Sequence, residues 1–334
     1  MTANPEGRVT LTCEQAHNLA MAALTGLGFP SDEALLITLH VMDAALCGYE
    51  YSGLAKIVNL AQFRAQRPNV EPMRLLQETS VSALYDGGHH NGMITVDRAT
   101  DVAIVKAQAH GFGIVGVHRT WMSGRSAYFV ERIARAGLVG LHTLGSTALV
   151  APPGAAVAAI GTNPIAFGFP TLGDPLVIDM GFSTLMFTDL RLRALLGQSL
   201  PEGCAIDAQG LPTQDPVAAL AGAVLCFGGY KGFGLALAMQ ALAGLAGADQ
   251  DPDNAGYLML AIRPDLLVPL ERYRQGVNDL IQRIKSTPRQ PGVDEIRIPS
   301  ERSMRSRARL KQEGIAIDAL IFNRLQDMAR HGHA

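Results

Sequence analysis

Apolar positions along the chain change their spacing several times, and each change predicts an element. Between residues 10 and 47 they recur every three or four positions, which predicts helices, with Thr10 or Thr12 capping the first and Ser31 the second. Residues 48–53 break that spacing and 54–66 resume it, before Pro68 and Pro72 mark a linker. Short apolar runs at 81–85, 114–118 and 138–143 then predict strands, alternating with helical spacing at 96–110 and 126–136. Pro175-Leu176-Val177-Ile178 reads as a buried strand, 257–262 as another, 266–286 as an amphipathic helix and 307–331 as closing helices. The alternation predicts an α/β (α+β) fold. Residues 75–299 are expected to form a mixed-sheet lobe, and 1–74 plus 300–334 a helical lobe discontinuous in sequence.

Composition narrows the class. The 334 residues are 48% hydrophobic and 17% charged, with a formal net charge of −2. The most basic stretch, 297–311, mixes arginine with serine and glutamate, so no nucleic-acid partner is expected. Cys13, Cys47, Cys204 and Cys226 are widely spaced, which argues against a zinc ribbon or disulfide frame and fits a cytoplasmic location. Residues 1–8 are polar, so no signal peptide is expected. The apolar stretch 221–248 contains Lys231, Gln240 and seven glycines, and is read as a buried helix behind a glycine loop rather than a membrane span.

Two motifs fail on context. Gly111-Phe112-Gly113-Ile114-Val115-Gly116 has the glycine spacing of a dinucleotide loop. That loop must follow a strand and open a helix, so that phosphate meets free amides. Here a predicted helix precedes and a strand follows, so Gly111 is expected to end the helix instead. Asp249-Gln250-Asp251-Pro252-Asp253 resembles the start of a calcium loop but lacks its later glycine and glutamate, and is read as a solvated turn.

Three strings carry chemistry: Gly161-Thr162-Asn163-Pro164-Ile165-Ala166, Val177-Ile178-Asp179-Met180, and Gly228-Gly229-Tyr230-Lys231-Gly232-Phe233-Gly234. Each sets a polar group in an apolar, glycine-rich stretch, where an unpaired charge costs several kcal/mol. Asp179 therefore needs a partner, and Lys231 at a helix start suits an anionic ligand.

With these strings, the segments 203–216 and 256–262, and similarity from about 10 to 332, the chain resembles the type 2 malate/L-lactate dehydrogenase family. That family also holds ureidoglycolate and sulfolactate dehydrogenases, diketogulonate reductase and Δ1-piperideine/Δ1-pyrroline-2-carboxylate reductases. The resemblance implies an NAD(P)-dependent oxidoreductase with a non-Rossmann cofactor lobe, working as a homodimer on a small molecule. It also exposes departures. Relatives carry serine, histidine and glycine followed by arginine, where this chain has Tyr51, Ser52, Gly53 and Lys56. A second family histidine corresponds to Met122, while Gly124 and Tyr128 match and Asp179 is retained.

The resemblance thus implies a site in which Ser52, Asp179 and Tyr51 are the catalytic candidates. Lys56, Thr162 and Asn163 would meet substrate, and Met122, Ser123, Gly124, Met180, Gly181 and Lys231 the cofactor. Arg302 and Arg305 follow Pro299 and are expected to pair a 2′-phosphate, favouring NADPH over NADH. Reduction of a ketone leaves an alkoxide that needs a proton donor, a task suited to histidine. A cyclic imine is basic enough to be protonated before hydride arrives. The expected activity is therefore reduction of a cyclic 2-imino acid of the Δ1-pyrroline- or Δ1-piperideine-2-carboxylate type. The alternatives are a 2-hydroxy acid dehydrogenase using Tyr51 or water as acid, and a non-catalytic nucleotide-binding descendant.

Overall fold

The central sheet of the computed structural model, which describes residues 3–4, 7–67, 69–247 and 255–332, is mixed. Its seven strands among the described residues run Arg74–Glu78, Ser82–Asp86, Phe112–His118, Gly256–Ile262, Val139–Gly145, Ile165–Phe169, Leu176–Met180 from edge to edge. Only Ser82–Asp86 and Phe112–His118 pair in parallel; every other neighbour is antiparallel. The helices Gly92–His110 and Ser126–Arg135 pack on it through residues including Ala103, Ala107, Phe129 and Ile133.

Glycine lets those helices approach. A β-carbon on Gly113 would stand 2.4 Å from the Ala103 carbonyl oxygen, and one on Gly168 2.1 Å from that of Val130. Gly111 adopts φ 86° and closes Gly92–His110 by donating to the Ala107 carbonyl. The glycines of the failed dinucleotide motif thus end a helix and admit its packing; they face no loop before a helix. The acidic segment 249–253 lies outside the described residues.

A second core joins both ends of the chain. Leu24, Ile37, Leu60, Ile317 and Leu325 belong to one apolar cluster. It is built from the helices Cys13–Gly26, Ser31–Leu46, Ala55–Gln66 and Ala319–His331. Thr12 caps the first helix reciprocally with Gln15. The expected cap at Ser31 shifts by one residue: Pro30 occupies the cap position and Ser31 is the first helical residue.

Three further expectations change. The strand at Asp179 lies at a sheet edge, paired among the described residues only with Ile165–Phe169, and Asp179 and Met180 are exposed rather than buried. The helix expected over 266–286 starts at Leu270, because Pro269 ends the short turn before it. The closing helices are split by a strand, Ile315–Asp318, which pairs with another unanticipated strand, Arg8–Leu11. Both are four residues long, too short for a reliable alternation in sequence. Among the described residues no helix is long and apolar enough to cross a membrane.

Ionic contacts tie these parts together. Arg307, on the helix Glu301–Glu313, donates to Glu131 (2.7 and 2.8 Å) and to Asp43 (2.8 Å), and Asp43 also accepts from Arg125 (2.7 Å). Burial alone would raise the Glu131 carboxyl, but hydrogen bonds and charge from Arg307 and then Arg135 bring it down to about 2. Removing Arg307 takes one of two arginine partners from each carboxylate, leaving Asp43 with Arg125 and Glu131 with Arg135. Arg307→Met is expected to cost about 1–3 kcal/mol in chemical denaturation at neutral pH. Because Glu131 is depressed in the folded state, its contribution is present at neutral pH and lost as pH falls toward 2. The cost should shrink accordingly in acid.

Candidate functional site

Two cavities meet behind a wall made of Gly124, Pro164 and Met186, residues that line both. The first encloses about 900 Å³, its open mouth included, and the second about 570 Å³.

The first cavity is apolar with cationic points. Phe63, Trp121, Leu144, Phe187 and Tyr257 line it, together with Lys56, Arg67 and Arg191, and among the described residues no aspartate or glutamate lines it. Lys56 enters from the first turn of Ala55–Gln66 and is only 3% exposed. Burial lowers its pKa from 10.5 to about 8, and among the described residues it has no hydrogen-bond or ion-pair partner. A lysine held this way bears its desolvation without a counter-charge among the described residues. Thr162, Met122 and Ser123 line the same cavity.

The turn carrying Met122 and Ser123 is held open by strain and hydrogen bonds. Met122 has φ 55° and Gly124 φ 81°. The buried Asn91 caps its own helix at Met93 and donates to the carbonyls of Trp121 and Met122 (3.3 Å each). Behind Gly124 stands His40, so close that a β-carbon there would come within 2.2 Å of Nε2. That nitrogen accepts from the Arg125 amide at 2.7 Å, and burial keeps the ring neutral by pushing its pKa well down. Among the described residues no histidine lines either cavity.

The second cavity brings together Tyr51, Ser52, Asp179, Met180 and Gly181 with Tyr49 and Arg125. Ser52 closes the 3-10 turn Glu50–Ser52, and its hydroxyl makes no hydrogen bond within the described residues. Asp179 accepts from the Ala127 amide at 2.8 Å, in the first turn of Ser126–Arg135, a position that favours a negative charge. Its exposed surface faces the cleft, where surrounding protein still removes hydration. That loss is the larger effect and raises the carboxyl, against the Ala127 bond and the Arg125 charge. Burial, then Tyr49 and Asp179, push the Tyr51 hydroxyl far up, which makes it a poor acid near neutrality.

Four expected residues stand elsewhere. Asn163 is fully buried and structural: its Nδ2 donates to the Ala236 carbonyl (3.0 Å) and its Oδ1 accepts from the Ser146 amide (3.3 Å). Lys231 is exposed in the first turn of Tyr230–Ala243 and lines neither cavity. Arg305 has both prongs of its guanidinium on Glu295 (2.6 and 2.8 Å), so the geometry expected for a phosphate is already taken. Arg302 lies over the Tyr49 ring at 5.3 Å, one side chain removed from the second cavity. The residues missed from sequence are Phe63, Arg67, Trp121, Phe187 and Arg191. They sit on helical or loop segments whose spacing shows only that one face is apolar, and not what that face encloses.

Comparison with known proteins identifies the family. A malate/L-lactate dehydrogenase family model matches residues 11–326, and the chain belongs to that family of oxidoreductases. It is 30% identical to an L-sulfolactate dehydrogenase of Methanothermobacter thermautotrophicus, over 95% of both chains. It is 28% identical to a Δ1-pyrroline-2-carboxylate reductase of Ancylobacter novellus, covering 97% of this chain and 98% of that one. A dehydrogenase structure from Sinorhizobium meliloti superimposes with a TM-score of 0.89 at 29% identity, over 96% of this chain and 98% of that one.

Lys56→Met removes the desolvated charge. It is expected to leave thermal stability equal or higher at pH 7, while KM for an acidic substrate rises about tenfold or more. The folded state depresses the lysine, so wild type gains stability as pH rises from about 8 toward 10.5, where the unfolded chain still binds the proton. Melting curves across that window should show the gap between wild type and Lys56→Met closing.

Proposed function

We propose that this member of the malate/L-lactate dehydrogenase family reduces a cyclic 2-imino acid with a nicotinamide cofactor, NADPH in preference to NADH. The observation that carries the reading is the division of charge. A cation without a counter-ion, Lys56, lines one cavity; a carboxylate, Asp179, lines its neighbour; and Gly124, Pro164 and Met186 border both. A protonated cyclic imino acid has the matching layout, a carboxylate next to a C=N bond that bears positive charge. The similarity to a Δ1-pyrroline-2-carboxylate reductase supports the same class.

The residues present fit the cofactor's chemistry: the aromatic walls of the first cavity accept a planar ring. When bound, the reduced nicotinamide supplies hydride to the C=N carbon. Lys56 holds the substrate carboxylate as a point charge. Asp179, with one oxygen on the Ala127 amide, leaves the other to stabilise the positive ring nitrogen. Ser52, beside it, orients that N–H. No proton need be supplied after hydride transfer, which suits a site that no histidine lines.

One observation favours a second reading. Lys56 at about 8 is a competent acid near neutrality and can protonate the alkoxide of a 2-oxo acid. The working form is taken to be a homodimer. Helix Tyr230–Ala243 and the turn after it present Leu235, Leu237, Leu242 and Leu245 outward, the last 64% exposed, an apolar face suited to a second copy.

Steady-state NADPH oxidation with Δ1-piperideine-2-carboxylate and with pyruvate separates the readings. The imine is expected to show the higher kcat/KM, and a clear preference for pyruvate would defeat the proposal. Asp179→Asn should lower kcat by about 100-fold or more with the imine while cofactor affinity stays within twofold. Light scattering should give twice the chain mass; a monomeric mass at micromolar protein would overturn the dimer.

A further inference from the structure

Arg191 is a half-buried cation that the reaction above does not use. It lines the first cavity with Lys56, from the helix Phe187–Leu196. Its neighbour on that helix, Arg193, pairs with Asp189, whereas Arg191 has no carboxylate partner among the described residues. Its guanidinium is held over two aromatic rings instead, Phe63 at 4.9 Å and Phe187 at 5.1 Å, both on the cavity wall. Its Nε is buried without a hydrogen-bond acceptor. Burial lowers its pKa, as expected for a charge whose surroundings do not offset it.

A surface arginine without a partner is solvated and needs no explanation. This one is partly dehydrated, held over ring faces, and set in a cavity that no carboxylate lines among the described residues. Aromatic faces orient a guanidinium while leaving its edge N–H groups for a planar or tetrahedral oxyanion. Lys56 already answers one acidic group, so a ligand with a single carboxylate leaves Arg191 uncompensated.

We propose that Arg191 is a specificity-determining residue that binds a second anionic group of the substrate, remote from the reacting carbon, so that the substrate is an imino acid with two acidic groups. This rests on the reading of the first cavity as the substrate-carboxylate site. A carboxylate, sulfonate or phosphate meets the same chemistry.

The test needs no turnover. Trp121 is the one tryptophan of the chain and lines this cavity, so its fluorescence reports occupancy directly. Titrations with pyruvate and with 2-oxoglutarate, which differ by a distal carboxylate, should give at least tenfold tighter binding of the diacid to wild type. Arg191→Met should reduce that ratio to near one and leave pyruvate affinity within twofold; Arg191→Lys should restore part of it. Equal binding of the two acids by wild type, or a ratio unchanged in Arg191→Met, overturns the proposal. Parallel titrations with NADPH and NADH identify the other source of an anion. If Arg191→Met erases a preference for NADPH and spares the diacid ratio, the group binds cofactor phosphate and the substrate assignment fails. Loss of imine turnover with the diacid ratio intact would count against the proposed reaction and leave the role of Arg191 standing.

Discussion

The site depends on one ionic junction, the pairing of Arg307 and Arg125 with Asp43 and Glu131. Arg307 comes from the C-terminal part of the chain, Asp43 from an N-terminal helix, and Arg125 and Glu131 from the segment that covers the sheet. Such a junction contributes little net energy when intact and much when halved, since each lost partner strands a dehydrated charge. Its value is positional. It fixes Arg125 and the start of Ser126–Arg135, and the Ala127 amide in that first turn holds Asp179. Arg125 also lines the Asp179 cavity and lends its charge to that carboxylate. The fold's main ionic tie and the candidate carboxylate are therefore two ends of one short chain of contacts.

Desolvation then acts twice, in opposite senses. It lowers the ammonium of Lys56 in one cavity and raises the carboxyl of Asp179 in the other. Both groups move toward neutrality for the same reason: each stands in low dielectric without a full counter-charge. A ligand with separated charges relieves both at once. Lys56 and Asp179 stand in different cavities that share Gly124, Pro164 and Met186 as lining residues. The strained Met122–Gly124 turn, braced by Asn91, sets where that wall stands. Strain of this kind persists only where surrounding contacts over-determine it.

Much of this was legible along the chain. Apolar spacing located the main helices and most strands of the central sheet to within a few residues. The context of the glycines at 111–116 excluded a Rossmann loop, and φ 86° at Gly111 bears that out. Polar residues in apolar strings pointed to Thr162 and Asp179, and resemblance added Ser52, Lys56 and Met122–Gly124; all of these line one or both cavities. The same argument overreached at Asn163. A buried amide in a glycine-rich stretch has two explanations, a ligand or the backbone, and here the Ala236 carbonyl and Ser146 amide satisfy it.

What the amino-acid order determined by itself were properties set by neighbours: helix and strand spacing, caps, and the isolation of a charge within an apolar run. Tertiary structure alone decided which side chains share an enclosure. Phe63, Trp121 and Arg191 are far apart in sequence, yet they form one wall, because the helix Ala55–Gln66, the turn after Phe112–His118 and the helix Phe187–Leu196 converge there. It also decided which arginines are already neutralised, Arg305 by Glu295 and Arg307 by Glu131 and Asp43, and that Arg191 has no such acid among the described residues. Charge pairing acts over a few ångströms of space, and distance along the chain carries almost no information about it.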